Sequence, residues 1–150
     1  MYRSFGSIVS LNLECNAIGV AGAEALATFI ILQSQDARAG KNTTCLRVLK
    51  LANNKISNEG AAAMAEALLN NTTLEELTLT NNGISHGLVA IGKALEKNNT
   101  IRTLTLFGND FDMDSGKIFN DLQSNRFTYL NISIDIKVYI IDGQYMVAEK

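Results

Sequence analysis

The chain has 150 residues but no proline, one histidine and two cysteines. Each scarcity removes a class of protein. Without proline, nothing interrupts a regular parallel sheet by deleting a backbone donor. The single histidine, His86, lies at a loop-to-helix junction and leaves no multi-histidine metal site or His-dependent triad on which to build catalysis. Cys15 and Cys45 are too few for a disulfide framework and point to a reducing compartment, intracellular and either cytoplasmic or nuclear. No apolar run approaches the roughly 18 residues that span a bilayer, and Met1–Ser7 lacks the long apolar stretch of a secretory signal. Thirteen Lys and Arg against fifteen Asp and Glu give a net charge of −2. That balance gives no reason to expect nucleic acid or an anionic membrane as the partner.

What the chain does contain is repetition. Leu46-Arg-Val-Leu49-Lys-Leu51-Ala-Asn-Asn54-Lys-Ile56 superposes on Leu74-Glu-Glu-Leu77-Thr-Leu79-Thr-Asn-Asn82-Gly-Ile84, and both on Ile101-Arg-Thr-Leu104-Thr-Leu106-Phe-Gly-Asn109-Asp-Phe111. An earlier copy reads Ile8-Val-Ser-Leu11-Asn-Leu13-Glu-Cys-Asn16-Ala-Ile18. A degenerate last strand opens at Phe127, in Phe127-Thr-Tyr-Leu130-Asn-Ile132, without the asparagine. The common pattern, L-x-x-L-x-L-x-x-N-x-L, is the leucine-rich-repeat signature.

Each copy has a physical reading. Leu49 and Leu51 alternate around polar Lys50, as a short strand with one buried face requires. Asn54 follows, where its side-chain amide can satisfy backbone groups that the turn leaves over; stacking would place Asn16, Asn54, Asn82 and Asn109 in one inner row. The period then changes to 3.6. Ala23, Leu26, Ala27 and Ile30 recur at helical spacing, as do Ala61, Met64, Ala65 and Leu68. The later helices are looser, with Leu88, Ile91 and Leu95, then Ile118 and Leu122. A single unit cannot cover its own large apolar side chains, each worth ~1.5–3 kcal/mol when buried, so the units must stack.

The 27–28-residue period, the helix Gly60-Ala-Ala-Ala-Met64-Ala-Glu-Ala-Leu68 with its echo Gly22-Ala-Glu-Ala-Leu26-Ala27, and the link Asn70-Asn71-Thr72-Thr73-Leu74 resemble the ribonuclease-inhibitor-type leucine-rich-repeat family. The resemblance covers roughly residues 8–132. It implies an α/β right-handed solenoid, a horseshoe segment with a parallel β-sheet on its concave side and helices on its convex side. Family members inhibit ribonucleases, sense ligands in innate immunity, activate Ran-type GTPases or cap actin. The resemblance therefore implies a non-catalytic protein–protein interaction module, without cofactor and with a protein partner. Two alternatives stay open: a regulator of another enzyme, GTPase activator-like or nuclease inhibitor-like, and a fragment of a longer array that self-associates through its N-terminal edge strand.

The reading is of one domain over residues 1–150, with repeats beginning near 8, 46, 74 and 101 and a last strand from 127. Alternation around Asp142-Gly143 predicts a β-hairpin over 134–148 that closes the sheet as a C-terminal cap. About ten extra polar residues between Ile30 and Leu46 predict a surface loop or a helix extension. Acceptor-like Asn42, Asn70, Asn71, Asn98 and Asn131 read as structural, because the repeat itself places Asn-Thr pairs there. The run Asp110-x-Asp112-x-Asp114 departs from calcium-loop spacing at Ser115 and Asp121, and acids ahead of a helix are explained by capping; no metal is assigned. The binding face is predicted from the outward strand positions: Arg47, Lys50, Glu75, Glu76, Thr78, Arg102, Thr105, Phe107 and Tyr129. Adjacent strands lie ~4.8 Å apart, so Arg47, Glu75 and Arg102 are expected to form a ladder of alternating charge, with Phe107 and Tyr129 as aromatic anchors.

Overall fold

In the computed structural model, which describes residues 8–41 and 44–150, the apolar alternation is realised as very short strands. β1 (Ser10–Asn12), β2 (Val48–Lys50), β3 (Glu76–Thr78), β4 (Thr103–Thr105) and β5 (Ser133–Ile134) pair in parallel, in sequence order. The register puts Leu11, Leu49, Leu77, Leu104 and Ile134 side by side. Between strands run α1 (Gly19–Arg38), α2 (Ser57–Asn70), α3 (Gly87–Leu95) and α4 (Met113–Leu122). The result is two layers, a sheet and a row of helices, with the leucines of the repeat sealed between them. Leu49, Leu51, Leu77, Leu79, Leu104 and Leu106 are all fully buried, as are Ala61, Met64 and Leu68 on the inner side of α2.

The asparagine row exists, and its bonds explain why the period demands asparagine. The Oδ1 atom of Asn82 accepts the amides of Asn54 (3.0 Å) and Ile56 (3.3 Å), while its Nδ2 donates to Leu51 O (2.9 Å) and Thr80 O (3.2 Å). Asn54 and Asn109 repeat this arrangement one repeat earlier and one later. Only an amide supplies a two-bond acceptor and a two-bond donor on one short side chain. Asn54 and Asn82 are buried, Asn109 is half-buried, and Asn16, on the outermost described repeat, is exposed. A second set of asparagines closes the helix-to-strand links. Asn71 Oδ1 accepts from Thr73 N and Leu74 N, and Asn98 Oδ1 accepts from Thr100 N and Ile101 N.

The residues inserted after Ile30 extend α1, which continues to Arg38. There the Arg38 guanidinium donates to Asn70 O at the end of α2, a favourable place for a cation.

The last repeat departs from the sequence reading. Phe127–Leu130 does not begin a strand; α4 continues through a π-helical turn (Gln123–Phe127) into α5 (Thr128–Leu130). Leu104 is paired with Ile134 and not with Leu130, so the strand arrives four residues later than expected. Packing gives the reason. The extra residue in the π turn carries Phe127 inward, 3% exposed, with its ring 6.4 Å from that of Phe119, which in turn meets Phe111 edge-on at 5.6 Å. The same turn aims Arg126 at Leu95 O and Asn98 O, at 2.6 and 2.7 Å. Asn131, at φ 53°, then ends the helix.

The hairpin forms about Asp142-Gly143, both at positive φ, starting two residues later and ending one later than expected, as β6 (Ile136–Ile141) and β7 (Gln144–Glu149). It is a separate two-stranded sheet and does not continue the parallel one. Ile136 and Val138 are buried, and Gln123 ties the hairpin to the π turn through Ile136 O and Val138 N. Against α4 the fit is close: a Cβ at Gly116 would stand 2.6 Å from that of Tyr145.

Candidate functional site

Because one face of every strand is buried, the alternate residues must face outward, and the register turns them into columns. One column is Ser10, Val48, Glu76, Thr103 and Ser133; its neighbour is Asn12, Lys50, Thr78 and Thr105. Arg47 and Glu75, one position before the strands, form an ion pair, and Lys50 reaches Glu76 at 3.7 Å. These side chains are 31–57% exposed, so each pair contributes only ~0–1 kcal/mol to stability.

The predicted ladder stops after one rung. Arg102 points away from Glu75 and donates instead to the carbonyls of Asn99 (2.9 Å) and Ile101 (3.0 Å). The turn just before it offers two oriented carbonyl acceptors, and the Glu75 carboxylate is already held by Arg47.

Two predicted contact residues stand elsewhere than on the open sheet face expected for them. Thr78 is 8% exposed, and its Oγ1 accepts the Leu51 amide at 3.0 Å, so it belongs to the ladder rather than to the surface. Tyr129 is 87% exposed but lies on α5, off the sheet, because the helix runs past the expected strand start. Thr105 stays at the face, accepting from the Thr80 hydroxyl at 3.0 Å. Phe107 sits at the rim beyond β4. It lines a groove of about 530 Å³ with Asp110, Phe111, Tyr145 and Met146, between the last Asn turn and the hairpin.

The residue that sequence reasoning missed is Asp135. In earlier repeats the amide after the strand donates to a carbonyl of the next strand, Leu51 N to Thr78 O and Leu79 N to Thr105 O. At the last step the carboxylate of Asp135 takes over. Its oxygens accept Leu106 N at 2.7 Å and Phe107 N at 3.0 Å, while its carbonyl accepts Lys150 N. One acidic side chain thus takes the place of the main-chain carbonyl that serves the amide after the strand in the earlier repeats. In the sequence it looks like one more polar position in the alternation Ile132-Ser133-Ile134-Asp135-Ile136.

The other acidic run has a structural use. Asp112 caps α4: its Oδ1 accepts Ser115 N at 2.8 Å, and Ser115 Oγ accepts Asp112 N at 2.9 Å. The Ser115 amide, then its hydroxyl, hold the Asp112 carboxyl below the ordinary aspartate range, against a smaller opposing effect of desolvation. Among the described residues, no group of three or more His, Cys, Asp or Glu side chains is placed to hold a metal ion. Cys15 and Cys45 are not joined by a disulfide, and no helix among the described residues is long and apolar enough to cross a membrane.

No curated protein matches the chain. A family model described as leucine-rich repeat matches residues 7–27, 42–65 and 70–86. These segments are the first three copies of the pattern, and the geometry beyond them continues in the same register through β4. The chain therefore carries leucine-rich repeats, stacked as a parallel sheet backed by helices.

Proposed function

We propose that the chain is a non-catalytic protein-interaction module that binds a protein partner on the concave face of its sheet. Leucine-rich-repeat domains generally mediate protein–protein contacts. One observation carries the reading further. The charged side chains Arg47, Glu75, Lys50 and Glu76 stand exposed along β2 and β3, and Phe107, Phe111 and Met146 line a groove past the end of β4, against the hairpin. Exposed charge together with a recess that has aromatic walls is the composition expected of a protein interface. The contact residues of this reading are Arg47, Lys50, Glu75, Glu76, Arg102, Thr105 and Phe107.

The same reading takes the coil as right-handed, the hand of nearly all parallel strand–helix–strand crossovers, and the repeats as the ribonuclease-inhibitor type. It takes the hairpin as a C-terminal cap, supported by buried Ile136 and Val138 and by Asp135 at the sheet edge. The chain is placed inside the cell, in keeping with two cysteines not joined to each other.

The test is crosslinking of the chain to its partner, followed by recovery with a Phe107→Ala, Arg102→Glu double variant whose melting midpoint is checked in parallel. Recovery should fall at least tenfold, about 1.4 kcal/mol. Equal recovery by a folded double variant moves the binding site elsewhere.

A further inference from the structure

We propose that the N-terminal face of the first repeat is a docking surface for one further leucine-rich-repeat unit. The internal interfaces show what such a unit supplies. At each one, an asparagine reaches back into the preceding repeat. Asn54 takes the amides of Asn16 (3.0 Å) and Ile18 (3.1 Å) and gives its Nδ2 to Leu13 O (2.7 Å). Asn82 does the same to Asn54, Ile56 and Leu51, and Asn109 to Asn82, Ile84 and Leu79.

Asn16 occupies the corresponding place in the first repeat, and the backbone there is already set. Cys15 and Ala17 hold positive φ of 60° and 50°, as Asn53 and Lys55 do at 60° and 54°. Yet among the described residues Asn16 Nδ2 bonds only to Glu14 O, inside its own turn, and no donor reaches its Oδ1. It presents one acceptor for two amides and one donor for a carbonyl, the set that a preceding turn completes.

The apolar surface agrees. Ile8 is 43% exposed, whereas its counterparts Leu46, Leu74 and Ile101 are at 1, 0 and 0%. Leu11, Leu13 and Ile18 are half-buried where the equivalent side chains of the second repeat are sealed. The helix layer adds a third match. A Cβ at Gly60 would stand 2.9 Å from that of Ala23, and one at Gly87 2.9 Å from that of Ala61. Each glycine therefore seats an alanine of the repeat before it. Gly22 offers the same bare position, and among the described residues the only side chain near it is Ile18 of its own turn.

A second copy of this chain does not present the matching surface. At its other end the amides of Leu106 and Phe107 are taken by Asp135, and β5 and the hairpin occupy the edge. The occupant is therefore a repeat unit whose trailing side is open, with an alanine at the Ala23-like position of its helix.

Inserting a duplicate of residues 46–73 between Ser7 and Ile8 of the full chain places such a unit in register. Hydrogen exchange is then followed at the duplicate's copies of Asn54 and Ile56. Those amides should exchange about 100-fold more slowly than in the same insertion carrying Asn16→Ala, while Asn16→Ala alone leaves the melting midpoint of the unmodified chain unchanged. Exchange at the unprotected rate in the insertion, or equal protection with and without Asn16, overturns the proposal. So does a monomer–dimer equilibrium of the unmodified chain abolished by Val9→Asp, which gives the face to a second copy. A fall in the midpoint on deleting residues 1–7, with the inserted unit unprotected, gives it to that segment and equally overturns the proposal.

Discussion

The second repeat and the last one end their strands on the same problem, backbone amides that need an acceptor, and answer it with different atoms. In the second repeat the next strand supplies a carbonyl and the next asparagine supplies Oδ1, as Leu51 N to Thr78 O and Asn54 N to Asn82 Oδ1 show. In the last, the Asp135 carboxylate accepts Leu106 N and Phe107 N, and the helix that follows the Asn109 turn runs on into a π turn packed on Phe119. The solenoid is held by satisfying each turn from the following unit. It can stop only where some other group takes over that duty.

The sharpest way to break the comparison is to remove an asparagine from the interior and from the exposed end. Asn82→Ala leaves two amides and two carbonyls unmatched inside the stack, at ~1–3 kcal/mol for each buried group left alone; we expect a loss of about 4 kcal/mol or more. Asn16→Ala, on an exposed turn with one local bond, should change stability by less than about 0.5 kcal/mol. Urea denaturation of both variants decides, and equal losses would mean the row is not what holds the stack.

Next in size is the aromatic packing that displaced the last strand. Phe127→Ala should cost about 3 kcal/mol, in the usual range for a buried phenylalanine. Tyr129→Ala, at 87% exposure, should be nearly neutral. If Tyr129→Ala destabilised comparably, residue 129 would be packed and the strand would begin near Phe127 after all.

These two predictions also mark how far the sequence could be read. Four copies in fixed register dictate the strand positions, the asparagine row and the alanine-lined helix faces, because each depends on neighbours spaced by one period. The end of the array depends on no period. Phe127-x-x-Leu130-x-Ile132 mimics a strand by its spacing, and only the ring of Phe119 and the carbonyls at the end of α3 make the helical continuation better. The candidate face was partly legible for the same reason. Outward columns follow from alternation, which puts Lys50 and Glu76 on the face opposite the buried leucines; Arg47 and Glu75 precede the strands and come to the surface beside them. Whether a long side chain turns to a carboxylate or to its own backbone, as Arg102 does, depends on local loop geometry that no pattern encodes. Thr78 was outward in register and still buried, because a hydroxyl close to the ladder finds an amide to accept.

The use of the Asp135 carboxylate in place of a main-chain acceptor is testable at a smaller scale. Asp135→Ala removes the acceptors of two amides at a half-buried edge, and we expect about 2 kcal/mol. Asp135→Asn keeps one acceptor oxygen and should lose roughly half as much. Hydrogen exchange at Leu106 and Phe107 should accelerate in both variants, while Leu51 and Leu79, served by main-chain carbonyls, stay protected. Acceleration at all four would show that the edge has no separate role.

The smallest effect concerns how the last full helix begins. The residues that precede α1, α2 and α3 make no capping side-chain bond, whereas α4 has the Asp112–Ser115 box. Asp112→Ala should cost about 1 kcal/mol at neutral pH. The carboxyl is held below its ordinary value, so its contribution is fully present above the unfolded aspartate pKa of roughly 3.9 and is lost as pH falls through the lower folded value. The stability gap between the chain and its Asp112→Asn variant should therefore shrink as pH is lowered from 5 toward 2. Other carboxylates are common to both proteins and cancel in the difference. A gap that stays constant over that range would mean the α4 cap works as a neutral hydrogen-bond acceptor. Its ionisation would then contribute nothing to where the repeat pattern gives way to the hairpin.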